Sequence, residues 1–402
     1  MGTMLAKLAF FALLLFAVGH EQDDVKLLAR AHNEFGVKLL KQLALEEPLS
    51  NIVLSPTSIA SAFGMAYTGA RGNSEAELVS VLGHNAVGLV DRARVLASYK
   101  NLLQLSKSPN VTLDVANLVL IQKGFPILEG YQKQLRDVFD AELRSADFAN
   151  AGSGSAEKVN AWVREKTRGK ISGILPERQS LYIVLLILNA VYFKGTWLTK
   201  FDAADTMNRP FFNMGTSEVS RPSMHLTTRL PHTTINGLNA SAVEIPYNGG
   251  KFGMVIVLPD NFTGLQAVRD GLSATVIEVL DDSMYSKDVV LRLPKFEMNQ
   301  RYDLVRAMEA LGLHVVFGRS ADFGRIVDGE RVHISDAVHE AAIEVNEEGT
   351  VAAAVTGLFV MPSSSLYEPP PPIFFTVDHP FLYYIRDKDN NRILFIGEVH
   401  SL

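Results

Sequence analysis

Residues 180 to 193 read SLYIVLLILNAVYF, a nearly continuous apolar run that carries one amide, Asn189. A strand with one wet face alternates apolar and polar residues. A run that is apolar at almost every position reads as a strand covered on both faces, which demands packed layers above and below it. The run is also too short, with Asn189 inside it, to suit a bilayer span of about 20 residues.

The rest of the chain supplies those layers unevenly. Val25 to Ala44 places Leu27, Leu28, Phe35, Leu39 and Leu43 near one helical face. Asn51 to Pro56 reads as a short strand ending at a proline, with Ser58 as the cap of a helix over Ile59 to Tyr67. Further helices are expected over Glu75 to Leu82, Leu128 to Val138, Glu157 to Thr167 and Asp303 to Leu311. Strands are expected over Val111 to Gln122, Val243 to Tyr247, Phe252 to Leu258, Val289 to Leu293, Phe381 to Ile385 and Ile393 to Gly397. Helices come early and strands late, so the class is α+β rather than a βαβ repeat. A length of 402 residues allows two or three domains, but no linker or charge run divides the chain. One large domain is the reading.

Several functions are disfavoured. The net charge is −6 and no dense basic patch exists, so a nucleic-acid surface is not expected. Arg92, Arg94, Lys100 and Lys107 read as the solvated face of a helix rather than a glycosaminoglycan site. His333 and His339 lack ligand spacing, so neither a metal nor another cofactor is expected. There is no Gly-x-Ser-x-Gly elbow and no His-Glu-x-x-His, which argues against an enzyme.

The N-terminus has the pattern of a signal peptide over residues 1–19. Lys7 precedes the apolar run Leu8 to Val18, and Ala17, Val18 and Gly19 offer small residues for cleavage. A secreted, extracellular chain without a membrane anchor follows from that reading. Cysteine is absent, and a core of this size does not need disulfides. Asn110, Asn239 and Asn261 each begin a glycosylation sequon.

Residues 344 to 363, EVNEEGTVAAAVTGLFVMPS, stand apart. An acidic start leads through Gly349 and Thr350 into small apolar residues, and Pro369 to Pro372 follow. The composition suits an exposed segment that is also able to become a strand. It equally fits a low-complexity surface loop. The prolines, which lack an N–H, would stop any ladder at the far end.

Ordered blocks across the chain resemble the serpin superfamily. They include Asn51-Ile52-Val53-Leu54-Ser55-Pro56-Thr57-Ser58, Asn160-Ala161-Trp162-Val163 with Thr167-Arg168-Gly169-Lys170-Ile171, and Asn189-Ala190-Val191-Tyr192-Phe193-Lys194-Gly195-Thr196-Trp197. Leu293-Pro294-Lys295-Phe296, Ala321-Asp322-Phe323, His379-Pro380-Phe381 and Phe395-Ile396-Gly397-Glu398-Val399 continue the series. The segment Glu344 to Thr350 is most similar to secreted arthropod serpins, tick proteins included.

The resemblance implies three β-sheets, about nine helices and an exposed reactive-centre loop near residues 346–373. The remaining chain, 20–402, would be a single serpin domain, acting as a monomer. It implies a suicide substrate: a target serine protease forms an acyl-enzyme with the loop, which then inserts into the main sheet and traps the protease covalently. Such insertion is strand addition that releases stored strain. The alternative is a non-inhibitory serpin, a carrier or storage protein.

The hinge, Glu347, Glu348, Gly349, Thr350, Val351, Ala352, Ala353, Ala354 and Val355, favours insertion. After the glutamates it holds no charge and no proline, although Val351 and Val355 are bulkier than usual. Ser55, Pro56, Asn189 and His339 align with the family's shutter, and Trp197 with its breach. The hinge glycine of inhibitory members begins a fifteen-residue segment ending before the reactive bond. Counting from Gly349 gives Ser363–Ser364. Counting back from His379 gives Leu366 or Tyr367 instead. The hinge count is preferred because insertion depth is what the mechanism fixes. No Lys or Arg occurs between Asn346 and Ile385, so elastase- or chymotrypsin-like proteases are the expected targets.

Overall fold

The strand foreseen at the start is β4, Leu185–Gly195, and it is buried at every position but Lys194. The computed structural model describes residues 2–104, 111–148, 154–176, 183–349 and 370–402, with side chains from residue 22 onward. Three clusters meet on β4. Leu186, Leu188, Ala190 and Tyr192 face a helical layer. Leu185 and Ile187 join the main helical core. Val191 and Phe193 pack toward a second sheet. A charge at any of the buried positions of this strand would be stranded, which is why the run reads as it does.

The N-terminal half is mainly helical. It contains α1 (Gly2–Glu46), α2 (Pro56–Gly69), α3 (Gly72–Val81), α4 (Arg92–Gln104), α5 (Glu129–Phe139) and α6 (Ser155–Lys166), with the strands β1 (Ile52–Leu54), β2 (Val111–Gln122) and β3 (Glu142–Ala146) between them. After β4 come mostly strands: β5 (Met207–Asn213), β6 (Ser217–Ile235), β7 (Ala240–Pro246), β8 (Phe252–Pro259), β9 (Tyr285–Pro294), β10 (Phe296–Asp303), β11 (Ile334–Val345), β12 (Ile373–Thr376), β13 (Phe381–Asp387) and β14 (Arg392–Val399). The helices α7 (Leu265–Gly271), α8 (Ala274–Asp282) and α9 (Val305–Ala310) interrupt them. Nine α-helices thus occur among the described residues, and none is long and apolar enough to cross a membrane.

Five strands form one sheet in the order β10-β11-β4-β2-β3. At its centre β11 and β4 pair directly and in parallel, from Ile334↔Leu185 to Ile343↔Phe193. Helix α6 lies over the outer face through Val159, Trp162 and Val163. The other strands form a single hydrogen-bonded sheet in the order β1-β14-β13-β8-β7-β6-β9-β12, with β5 also on β6. Two sheets are therefore found among the described residues where three were expected. The cause is β6. It is 19 residues long, pairs with β5 and β9 along most of its length, and pairs with β7 at its end. It fuses what would be two small sheets into one.

One local expectation fails. Ser58 does not cap α2. The helix begins at Pro56 with Ser55 at the N-cap. Proline is well placed in a first turn, where its missing N–H has no partner to lose. Ser58 is thus inside the helix, and its hydroxyl is free for another task.

Candidate functional site

The parallel seam between β4 and β11 is locked at mid-height by a buried polar network. His339 on β11 and Asn189 on β4 are register partners. Their Nδ1 and Oδ1 atoms are 2.6 Å apart. The backbone N–H of Ser55 donates to His339 Nε2 at 3.3 Å. Nε2 must then be the acceptor, so the ring proton sits on Nδ1 and is donated to Asn189. The Asn189 amide donates both hydrogens, to Ser58 Oγ and to Asn117 Oδ1, each at 2.7 Å. One amide therefore ties β11, β4, β2 and α2 together through both of its N–H hydrogens and its oxygen.

Burial keeps His339 neutral. The ring is fully enclosed, and its pKa is pushed down to about 3 by loss of solvation. Tyr302, its neighbour on β10, stacks nearly parallel at 6.4 Å, and the Tyr302 hydroxyl accepts from Val53 N–H at 3.3 Å. Pro56 is buried beside this network at the start of α2.

At the open end of the seam the chain leaves β11 at Val345 and folds over the corner at Trp197. The Trp197 indole N–H donates to Asn346 O at 2.9 Å, and its ring stacks on Tyr247 at 4.4 Å. The backbone N–H groups of Trp197 and Phe201 donate to Glu348 O at 3.3 Å and Glu347 O at 3.0 Å. Gly349 has φ +66°, and a Cβ there would come within 2.4 Å of Gly195 O and 2.5 Å of Trp197 N. Only glycine fits so close an approach.

The Glu347 side chain adds a clamp. Its carboxylate lies 2.8 Å from Lys295 Nζ and accepts from Thr206 Oγ1 at 2.8 Å. Burial alone would raise its pKa. The bonds from Lys295, its own backbone N–H and Thr206 outweigh that and hold it below the ordinary carboxylate value. Asn346 braces the turn by donating to Glu344 Oε1 at 2.9 Å and accepting from Glu348 N–H at 3.1 Å.

The structure therefore brings Ser55, Asn189 and His339 into one network, and Trp197, Glu347, Glu348 and Gly349 into another. Thr350, Val351, Ala352, Ala353, Ala354 and Val355 lie outside the described residues. So do Ser363, Ser364, Leu366 and Tyr367, and the sequon residue Asn110. Asn239 and Asn261 are exposed on neighbouring turns, and Asn261 Oδ1 accepts from Thr263 Oγ1 at 3.2 Å. Sequence reasoning missed Asn117, Ser58 as a partner of Asn189, and the Lys295–Thr206 clamp. Nothing local signals them, because each comes from a distant part of the chain.

Sheet order, the buried seam and the turn held against Trp197 together define a class. A family profile described as serpin (serine protease inhibitor) matches residues 30–402, and the chain belongs to the serpin family. Iripin-8 of Ixodes ricinus is 40% identical over 384 residues, covering 95% of each chain. Intracellular coagulation inhibitor 2 of Tachypleus tridentatus is 35% identical over 377 residues, covering 93% of this chain and 91% of the relative. Among solved structures, Serpin48 of the insect Tenebrio molitor, described as highly specific, aligns with a TM-score of 0.80 and 28% identity. That alignment covers 93% of this chain and 98% of Serpin48.

Proposed function

We propose that this chain is a secreted suicide inhibitor of serine proteases, directed at elastase- or chymotrypsin-like enzymes. The observation that carries this is the seam. β4 and β11 pair directly, and Gly349 stands at the open end of that pairing. Once β4 and β11 part, a strand entering there would pair with the ladder groups each now gives the other, and residues 350–361 bring no charge or proline to bury.

The chemistry needs the protease's own machinery. Its serine Oγ attacks the carbonyl carbon of Ser363, the Ser363–Ser364 peptide bond breaks, and the Ser364 nitrogen takes a proton and departs as a new amine. The ester that forms holds the protease to the cleaved loop, residues 350–363. Entry of that segment between β4 and β11 would carry the enzyme across the molecule before water completes hydrolysis. Leu366 and Tyr367 are the alternative reactive residues.

Relatives named as coagulation inhibitors support inhibition. Secretion is supported by the N-terminal pattern and by α1. Removal of residues 1–19 leaves Asp23 and Asp24 near the start of the helix, where carboxylates are favoured by the macrodipole. Asp24 also accepts from Arg94 at 2.9 Å. Exposed Asn239 and Asn261 are the candidate glycan sites. The test is a panel of serine proteases, read as complexes that survive SDS, with mass spectrometry of the cleaved loop. A nick after Ser363 should raise the melting temperature by tens of degrees, roughly several times a point-mutant effect. Equal melting curves before and after the nick would contradict the inserting loop.

A further inference from the structure

The turn after α6 reaches across three strands at once. Thr167 fixes the turn: its Oγ1 donates to Val163 O at 2.8 Å and accepts from Ile171 N–H at 3.2 Å. Arg168 and Gly169 then take φ of +52° and +80°. This reversal brings Arg168 Nε to 3.0 Å from Asp114 on β2. It also brings Lys170 Nζ to 5.6 Å from the Tyr192 ring centre on β4 and 3.1 Å from Glu344 on β11.

These contacts lie nearly in line across the sheet, since Asp114 pairs with Tyr192 and Tyr192 with Ala342. The line crosses the β4–β11 seam close to its open end, where Glu344 is the penultimate residue of β11. A new strand must move β11 away from β4 by one strand spacing, about 4.8 Å. Asp114 and Tyr192 stay on one side of the gap and Glu344 goes with the other. Lys170 is unable to keep both contacts.

We propose that Lys170 is a positioning residue that staples the seam closed at its entry and so sets the rate at which a strand enters. This inference rests on the inserting-loop reading above. Arg168 and Asp114 anchor the turn to the fixed side, and the Lys170–Glu344 pair is the part that must break. The electrostatics agree. The bond to Glu344 raises the Lys170 pKa. Burial alone would raise that of Glu344, but Lys170 outweighs it and the carboxyl is lowered.

The test compares Lys170→Gln, Lys170→Glu and the exchanged pair Lys170→Glu/Glu344→Lys. Two readouts are needed. One is the rate at which a synthetic peptide with the sequence of residues 350–361 adds to the uncut protein, followed by the rise in melting temperature. The other is the number of inhibitor molecules consumed per protease trapped. Lys170→Gln should speed peptide addition about two- to five-fold, the scale of a half-exposed ion pair, and lower the number consumed. The exchanged pair should restore the wild-type rate. Added salt should speed the wild type more than Lys170→Gln. Equal addition rates for wild type and Lys170→Gln, or failure of the exchanged pair to restore the rate, would overturn the staple. If peptide addition accelerates but the wild type traps no protease, the staple stands and the inhibitory reading falls.

Discussion

Asn189 Oδ1 accepts from His339 Nδ1 across 2.6 Å, at the point where two parallel strands that lie far apart in the chain meet. The bond is buried on all sides, and the second bond to the same ring, from Ser55 N–H to Nε2, requires a neutral imidazole. That requirement makes the seam sensitive to acid.

His339 has its pKa pushed down to about 3, and burial pushes His84 in the helical core down to about 4. The unfolded chain takes up each proton nearer pH 6.5. The stability these groups contribute is therefore full above about pH 6.5. As pH falls toward each folded value it is lost at about 1.4 kcal/mol per unit and per histidine. Asp281 and Asp336, raised by burial to about 6, act in the opposite sense. The comparison of wild type with His339→Gln separates these terms. At pH 7 the variant should be less stable by roughly 1–3 kcal/mol, and the gap should narrow as the pH is lowered to 4. Parallel melting curves across that range would show that the ring does not titrate as argued.

Glu347→Lys should loosen the hinge. It removes the bond to Thr206 and sets a like charge against Lys295 in a site where the carboxylate is mostly covered. The uncut protein should lose about 1–3 kcal/mol and add the loop peptide faster. The exchange Glu347→Lys/Lys295→Glu should recover much of the loss. A single variant that melts with the wild type would show that the clamp contributes nothing.

Thr350→Arg should convert the protein from trap to substrate. The loop would be cut at the same bond, but entry would have to bury a guanidinium at a cost of several kcal/mol. Gel analysis should show cleaved protein and free protease. Covalent complexes at the wild-type ratio would refute the hinge argument.

Specificity follows the residue before the bond. Ser363 is small and uncharged, which suits elastase-like pockets, whereas Leu366 or Tyr367 would suit chymotrypsin-like ones. None offers the cation an acidic trypsin-like pocket must pair. Ser363→Arg should shift trapping toward trypsin-like enzymes. Rapid trapping of an Arg-directed protease by the wild type at its reactive loop would sink the proposal.

The sequence made some elements plain and hid others for physical reasons. β2 was expected over the residues it occupies, and β4 announced itself because both its faces are covered. β11 drew no strand assignment. ISDAVHEAAIEV mixes His339 and Glu340 with alanines, and its character comes from neighbours on either side rather than from its own pattern. β6 was hidden as well, by Pro222, Pro231 and a mostly polar composition. At the site, Asn189 and His339 were legible as a pair only through the family resemblance, which aligns both with the shutter. Asn117 and the Lys295–Glu347 contact were not, since they depend on how distant segments dock. Ser58 resembles a cap because it precedes the apolar Ile59, but Pro56 starts the helix two residues earlier.

The two sheets differ in how their strands are laced. In the larger one, short connections join β5 to β6, β7 to β8 and β13 to β14. Pulling those neighbours apart would stretch a tight turn. In the five-stranded sheet no neighbouring pair is closed by a hairpin: β2 reaches β3 through α5, β10 reaches β11 through α9, and β4 and β11 are separated by most of the larger sheet. Its seams carry topological slack. No hairpin joins β4 to β11, so parting that seam would work against side chains and ladder bonds rather than against a tight turn between the two strands.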